Sequence, residues 1–299
     1  MKSLLPIRGT RLYVEEYNNT CEEALLYLHG GPGASCVDFC YHQALELSET
    51  VRVIAFDQRG VLRSDPISEG ETFCIQNIIE DCEALRIHLG IRQWTVLGHS
   101  FGGYVAFNYA IQYPNTVKRV IFETPSFDIK SSMRNFIQSA LPIFQSLNHQ
   151  EGIQKCNQYV EGDFSASDLW NAWGEIGQQL GEHRDHLYFK GMNPEVYNEL
   201  VDRLVPPGEL WERGQIHINK LQEEGEFFKS LLPKLHKLTQ PSLLITGVFD
   251  PVCTVEQQET YRQQIPNHSI VSFDKSAHFP RLEEPEKYKQ VIISFIKQN

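Results

Sequence analysis

The chain has 299 residues, of which 41% are hydrophobic and 22% charged, an ordinary globular composition rather than a disordered or fibrous one. That length suits two domains, or one α/β core with an insertion, and can bury a large core without disulfides or structural metal. The formal charge is −11, from 38 acidic and 27 basic residues, and no Lys/Arg stripe is available to displace counterions from phosphates, which argues against a nucleic-acid partner.

The seven cysteines are odd in number and show no C-x-x-C pair. Neither a zinc site nor a disulfide framework is expected, and scattered free thiols fit a reducing cytoplasm. The opening residues, MKSLLPIRGTRLYVEEY, hold only a two-leucine apolar run. That is too short for a signal-peptide core, and no apolar run approaches the ~20 residues of a membrane span, so neither export nor membrane insertion is expected.

In chain order, apolar runs of strand length fall at 12–17, 24–28, 51–56, 95–97, 117–122, 242–245 and 269–273. Between them lie helical patterns, as at 75–89, with apolar residues at Ile75, Ile78, Ile79, Cys82, Leu85 and Leu89. The stretch 286–296 reads as a closing helix. Strands alternating with helices imply a mainly parallel sheet flanked by helices. Residues 126–237 break the rhythm: mostly helical in pattern and rich in Glu, Gln and Asn, they hold three of the four tryptophans. The expectation is an α/β fold whose catalytic domain is 1–125 with 238–299, interrupted by a helical cap at 126–237.

The strongest chemical signal is Gly98-His99-Ser100-Phe101-Gly102, between the strand run Thr95-Val96-Leu97 and a helical stretch. A G-x-S-x-G at a strand-to-helix junction is a nucleophile elbow, in which small flanking residues let the turn tighten and the serine hydroxyl stand clear. A serine needs a base, and His278, after the last strand run and before the last helix, is the best placed of eleven histidines. His99 and His29 read as packing and loop-shaping residues, and His183 with His186 lacks a third metal ligand. The imidazole needs an acid to fix its tautomer. Asp250, in the loop Gly247-Val248-Phe249-Asp250-Pro251, completes the order Ser, Asp, His of the α/β-hydrolase fold. Glu123, at the end of an earlier strand run, is a rival acid, and Asp274 a weaker one. His29-Gly30-Gly31-Pro32-Gly33 follows another strand run, where backbone amides can hold an oxyanion. The expected donors are the amides of Gly31 and Phe101. No metal or organic cofactor is required.

These motifs resemble the proline iminopeptidase family of α/β hydrolases. The likeness rests on HGGPG at 29–33, on Asp57-Gln58-Arg59-Gly60 with Ser64, and on GHSFGG at 98–103, and it spans about 1–125 and 239–299. It implies that Asp57 and Arg59 brace the loops around the oxyanion hole. It also implies release of an N-terminal residue, typically proline, from short peptides. A free α-amine is mostly protonated at neutral pH and calls for a carboxylate. The segment Asp185-His186-Leu187-Tyr188-Phe189 resembles the family's amine-binding stretch, which nominates Asp185, with Glu182 close by. Two departures change the pocket's shape: Phe101 where the family has tryptophan, and Leu62 where it has glycine. Hydrolysis of small esters, lactones or amides, and a non-catalytic sensor on the same scaffold, remain alternative functions. Dehalogenation would need a carboxylate at position 100. The expected partner is a small molecule or short peptide.

Overall fold

The computed structural model describes residues 1–68 and 70–298. Eight strands form one sheet: β1 (Lys2–Ile7), β2 (Thr10–Tyr17), β3 (Ala24–Leu28), β4 (Arg52–Phe56), β5 (Trp94–His99), β6 (Val117–Glu123), β7 (Ser242–Gly247) and β8 (His268–Phe273). Their order is β1-β2-β4-β3-β5-β6-β7-β8. β1 and β2 are antiparallel to their neighbours, and every pairing from β4 to β8 is parallel. All residues of β3, β5 and β7 are buried, as expected of parallel strands covered on both faces.

β1 was not anticipated from the sequence. It is an edge strand whose residues alternate between exposed and partly buried, and Pro6 sits within it, so it lacks the apolar run that marks the inner strands. Its hairpin turn puts Arg8 at φ 45° and Gly9 at φ 79°, the two left-handed residues that match the twist of paired strands.

Helices α1 (Ile75–His88), α2 (Phe101–Gln112), α8 (Val255–Gln264) and α9 (Pro285–Ile296) flank the sheet, while α3 (Ile129–Ser146), α4 (Gln150–Glu161), α5 (Ala166–Leu180), α6 (Pro194–Leu204) and α7 (Glu209–Glu224) lie between β6 and β7 in the chain. α3 starts where the Asp128 side chain accepts the Ser131 amide, and α5 where Ser165 and Asp168 bond each other's amides, both ordinary helix starts. One face of α3, Ile129, Met133, Phe136, Ile137, Ala140 and Phe144, is buried at i, i+3 and i+4 spacing. It joins the same apolar core as Phe101, Phe122 and Val252 from around the sheet. A smaller cluster packs Val201 and Val205, on and just after α6, against Val37, Val61 and Leu62. No helix among the described residues is long and apolar enough to cross a membrane.

Candidate active site

Ser100 occupies the turn between β5 and α2, with φ 54° and ψ −121°, a backbone conformation that costs energy for any residue with a Cβ. The turn closes only because its flanks lack side chains. A Cβ on Gly98 would lie 2.3 Å from the Gly102 carbonyl oxygen, and one on Gly102 would lie 2.1 Å from the Leu28 carbonyl oxygen. The Ser100 amide donates to the Glu123 carbonyl at 3.0 Å, and its carbonyl accepts the Gly103 and Ser126 amides at 2.9 and 3.4 Å. Phe101 is the first residue of α2, so its amide belongs to the helix N-terminus, where amides lack intrahelical acceptors and favour negative charge.

His278 and Asp250 meet: Nδ1 of the histidine lies 2.8 Å from Oδ1 of the aspartate. Both carboxylate oxygens of Asp250 are also engaged, Oδ1 by the Val252 amide at 3.1 Å and Oδ2 by the Cys253 amide at 2.9 Å. The acid is thereby fixed in a loop just beyond β7. With Nδ1 protonated toward Asp250, Nε2 is left as the proton acceptor. His278 is buried, yet it lines the same cavity as Ser100, Gly31 and Phe101.

The rival acids are placed elsewhere. Glu123 is fully buried and accepts from Arg281 Nη1 at 3.1 Å and from the Tyr288 hydroxyl at 3.0 Å. Burial raises its pKa against the pull of Arg281. Arg281 also pairs with Asp38, so one guanidinium serves two buried carboxylates. Asp274 is exposed. The residue after Glu123 has a part that sequence reading missed. Thr124, at φ 43°, donates its hydroxyl to the His278 carbonyl at 2.9 Å and lies 3.3 Å from His99 Nδ1. His99 is buried, and burial holds its pKa well below the usual range, so it packs against His278 as a neutral ring, centroids 4.7 Å apart.

The glycine-rich loop after β3 is braced from three sides. His29 accepts the Gln58 amide at Nε2, 3.0 Å away, and the Gln58 side-chain amide donates to the His29 carbonyl at 3.2 Å. Asp57 accepts from Ser35 Oγ at 2.6 Å and from the Cys36 amide at 3.2 Å, which ties it to the loop's far end. Burial opposes its charge, but the Arg63 guanidinium, 2.7 Å away, outweighs this and lowers its pKa. Arg59, expected to share this work, turns away and pairs with Asp81 at 2.9 Å and Glu71 at 3.1 Å. Arg63 takes the place expected for it, four residues further on. The third brace comes from α7. Gly33 has φ 81°, and a Cβ on Gly214 would lie 2.9 Å from its carbonyl oxygen, so helix and loop touch backbone to backbone. Beside them His217 is buried, with Nδ1 2.8 Å from the Arg59 carbonyl. Burial pushes its pKa down to about 3, leaving a neutral ring that donates to that carbonyl.

The cavity, about 880 Å³, lies between the sheet-end loops and α3, α5, α6 and α7. Its wall is largely apolar and aromatic, including Met133, Phe136, Trp170, Trp173 and Trp211. Neither Asp185 nor Glu182 lines it: Asp185 accepts from Asn198 Nδ2 at 3.0 Å, and Glu182 is exposed. The 3-10 turn at Gly181–Leu187 directs them away, which helical periodicity could not foresee. The carboxylates on the wall are Asp38, already paired, and Asp202, which is exposed and forms no ion pair among the described residues. Leu62, at the position where the resembled family has glycine, holds φ 40° and is buried against Val201 and Val205. No group of three or more His, Cys, Asp or Glu side chains suited to a metal ion occurs among the described residues.

A strand-to-helix serine turn, a histidine–aspartate pair after the last parallel strands and a shared cavity define an α/β hydrolase. The sequence profile of the α/β hydrolase fold family matches residues 23–285, and the chain belongs to that family. Along its whole length it is similar to a proline iminopeptidase from Heyndrickxia coagulans, 27% identical over 307 residues that cover 99% of this chain and 98% of that one. Among solved structures, a proline iminopeptidase-related protein from Thermus thermophilus superposes with a TM-score of 0.74 at 20% identity, covering 99% of this chain and 96% of that one. An esterase from Exiguobacterium antarcticum superposes at 0.71 with 22% identity over 100% of both chains. At such identities the structural likeness speaks for the fold alone.

Proposed function

We propose that the chain is a serine hydrolase working through an acyl-enzyme, and that its substrates are short peptides from which it releases N-terminal proline or another small residue. The observation that carries the reading is the His278–Asp250 pair, 2.8 Å long, facing the same cavity as a strained, outward-held Ser100. His278 Nε2 takes the Ser100 proton as the hydroxyl attacks the carbonyl, and Asp250 stabilises the imidazolium. The amides of Gly31 and Phe101 receive the oxyanion. His278 then protonates the leaving amine, and water repeats the cycle on the acyl-enzyme. Residues 126–237 act as a cap over a catalytic domain made of 1–125 and 238–299. The seven unpaired cysteines suit a cytoplasmic setting.

The peptide reading is supported by whole-length similarity to proline iminopeptidases. Under it, the substrate ammonium meets Asp202, the cavity carboxylate without a cation partner, in place of Asp185 or Glu182. A second reading, a hydrolase of small esters or lactones, is favoured by the largely apolar wall. Aminoacyl-naphthylamides assayed beside p-nitrophenyl esters separate the two. The expected result is a preference for Pro-naphthylamide that Asp202→Asn reduces by about tenfold or more, with p-nitrophenyl acetate turnover unchanged. Turnover of esters alone would overturn the peptide reading.

A further inference from the structure

Resting on that peptidase reading, we infer that Arg184 binds the C-terminal carboxylate of the departing residue, so that the preferred substrates are dipeptides with a free carboxylate. Arg184 lines the cavity and forms no ion pair with a carboxylate among the described residues. Its course is set by what surrounds it. The side chain passes over Gly177 of α5, where a Cβ would stand 3.0 Å from Arg184 Nε. Its guanidinium lies 5.9 Å from the Trp173 ring centroid, and Trp173 and Tyr188 both pack on Phe136, with centroids 4.6 and 4.9 Å away. The neighbouring carboxylate Asp185 is turned to Asn198 instead. An arginine held in this way, with its fork free, matches a carboxylate in two-point geometry.

Its side of the cavity identifies which carboxylate. In acyl transfer the leaving group departs toward the imidazolium that protonates it. Tyr188 stands on that side: its carbonyl accepts the His278 amide at 3.0 Å, and its ring centroid is 5.6 Å from that of His278. Arg184 lines the cavity beyond Tyr188 on that side, beside Trp173, which shares the Phe136 ring with Tyr188 as a packing partner. A dipeptide places its carboxylate there. A longer peptide places a neutral amide there and leaves the guanidinium in water.

The test compares kcat/KM for Pro-Gly, Pro-Gly-amide and Pro-naphthylamide in the wild type, Arg184→Gln and Arg184→Lys. The ester pair 4-acetoxybenzoate and 4-acetoxybenzamide is run in parallel. The wild type should prefer Pro-Gly over its amide by about tenfold, the scale of one hydrogen-bonded charge at an exposed site. Arg184→Gln should erase the preference through KM, with both neutral proline substrates within about twofold of wild type, and Arg184→Lys should keep part of it. Equal wild-type rates on acid and amide, or equal losses on all three substrates, would overturn the inference. If no proline substrate is turned over but 4-acetoxybenzoate is preferred in an Arg184-dependent way, the carboxylate subsite stands and the peptidase reading falls. Absence of preference in both pairs removes the subsite.

Discussion

On the sheet side of the cavity, nearly every polar group is itself held by another: Asp250 by two amides, His278 by Asp250 and Thr124, Asp38 by Arg281. On the helical side, Arg184 and Asp202 are exposed and carry no ion pair among the described residues. The difference teaches where chemistry and selectivity are divided. Groups whose position must not vary are buried and over-constrained, whereas groups that meet a changing ligand keep free hydrogen-bonding capacity.

The largest effect should come from removing the proposed nucleophile. Ser100→Ala is expected to lower kcat by on the order of 10⁶ on every substrate with the fold intact, and a fluorophosphonate should label wild-type Ser100. A folded, fully active variant would break the comparison outright. Next comes the acid. Asp250→Asn should cost about 10⁴ in kcat through loss of the correct tautomer, whereas Glu123→Gln should leave kcat within about tenfold and act on stability instead, since Glu123 binds Arg281 and Tyr288 rather than His278. The reverse ranking would mean that the wrong carboxylate has been assigned.

A third change tests whether the helical side touches the chemistry at all. Gly214→Val would drive a side chain into the Gly33 carbonyl and shift the loop proposed to hold the oxyanion. A displacement near 1 Å is expected to cost about 10² in kcat, read by steady-state kinetics against an unchanged far-UV circular dichroism spectrum.

Acid stability provides a smaller effect. The Asp57 pKa is lowered in the folded chain. Its contribution is therefore fully present above the unfolded value of about 3.9 and is lost as pH falls through the folded value. Urea midpoints measured from pH 5 downward should fall below about pH 4, and Asp57→Asn should flatten that slope while lowering stability at neutral pH. The smallest effect is expected for Asp185→Asn, with kcat/KM within about twofold on peptide and ester alike, because its partner is Asn198 rather than a cavity ligand. A substrate-selective loss there would return the amine site to the 3-10 turn.

The inner strands and the motifs were legible because buried parallel strands read as apolar runs and because a tight serine turn forces small residues on both sides of it. β1 was not legible, since an edge strand need not be apolar. Arg63 could have been found, lying six residues after Asp57 in the same loop, but spacing alone does not say which arginine of a loop turns inward. Thr124 gave no signal, because its part depends on a positive φ and a partner 154 positions away. The helical segment was legible as helices but not as a wall. The likeness of 185–189 to the family's amine-binding stretch nominates Asp185 and its neighbour Glu182, but one 3-10 turn is enough to aim them elsewhere while Arg184 between them lines the cavity.

The four residues Glu123 to Ser126 grip both halves of the candidate machinery. The Glu123 carbonyl and the Ser126 amide hold the backbone of Ser100, while the Thr124 hydroxyl holds that of His278. Ser100 and His278, 178 positions apart in the chain, are thus mounted on one short bracket, like two lenses clamped to a common rail. That bracket constrains both at once, with Tyr188 of the helical segment adding a second hold on the His278 backbone. Heating should consequently cost activity most steeply at the temperature where the bracket itself lets go.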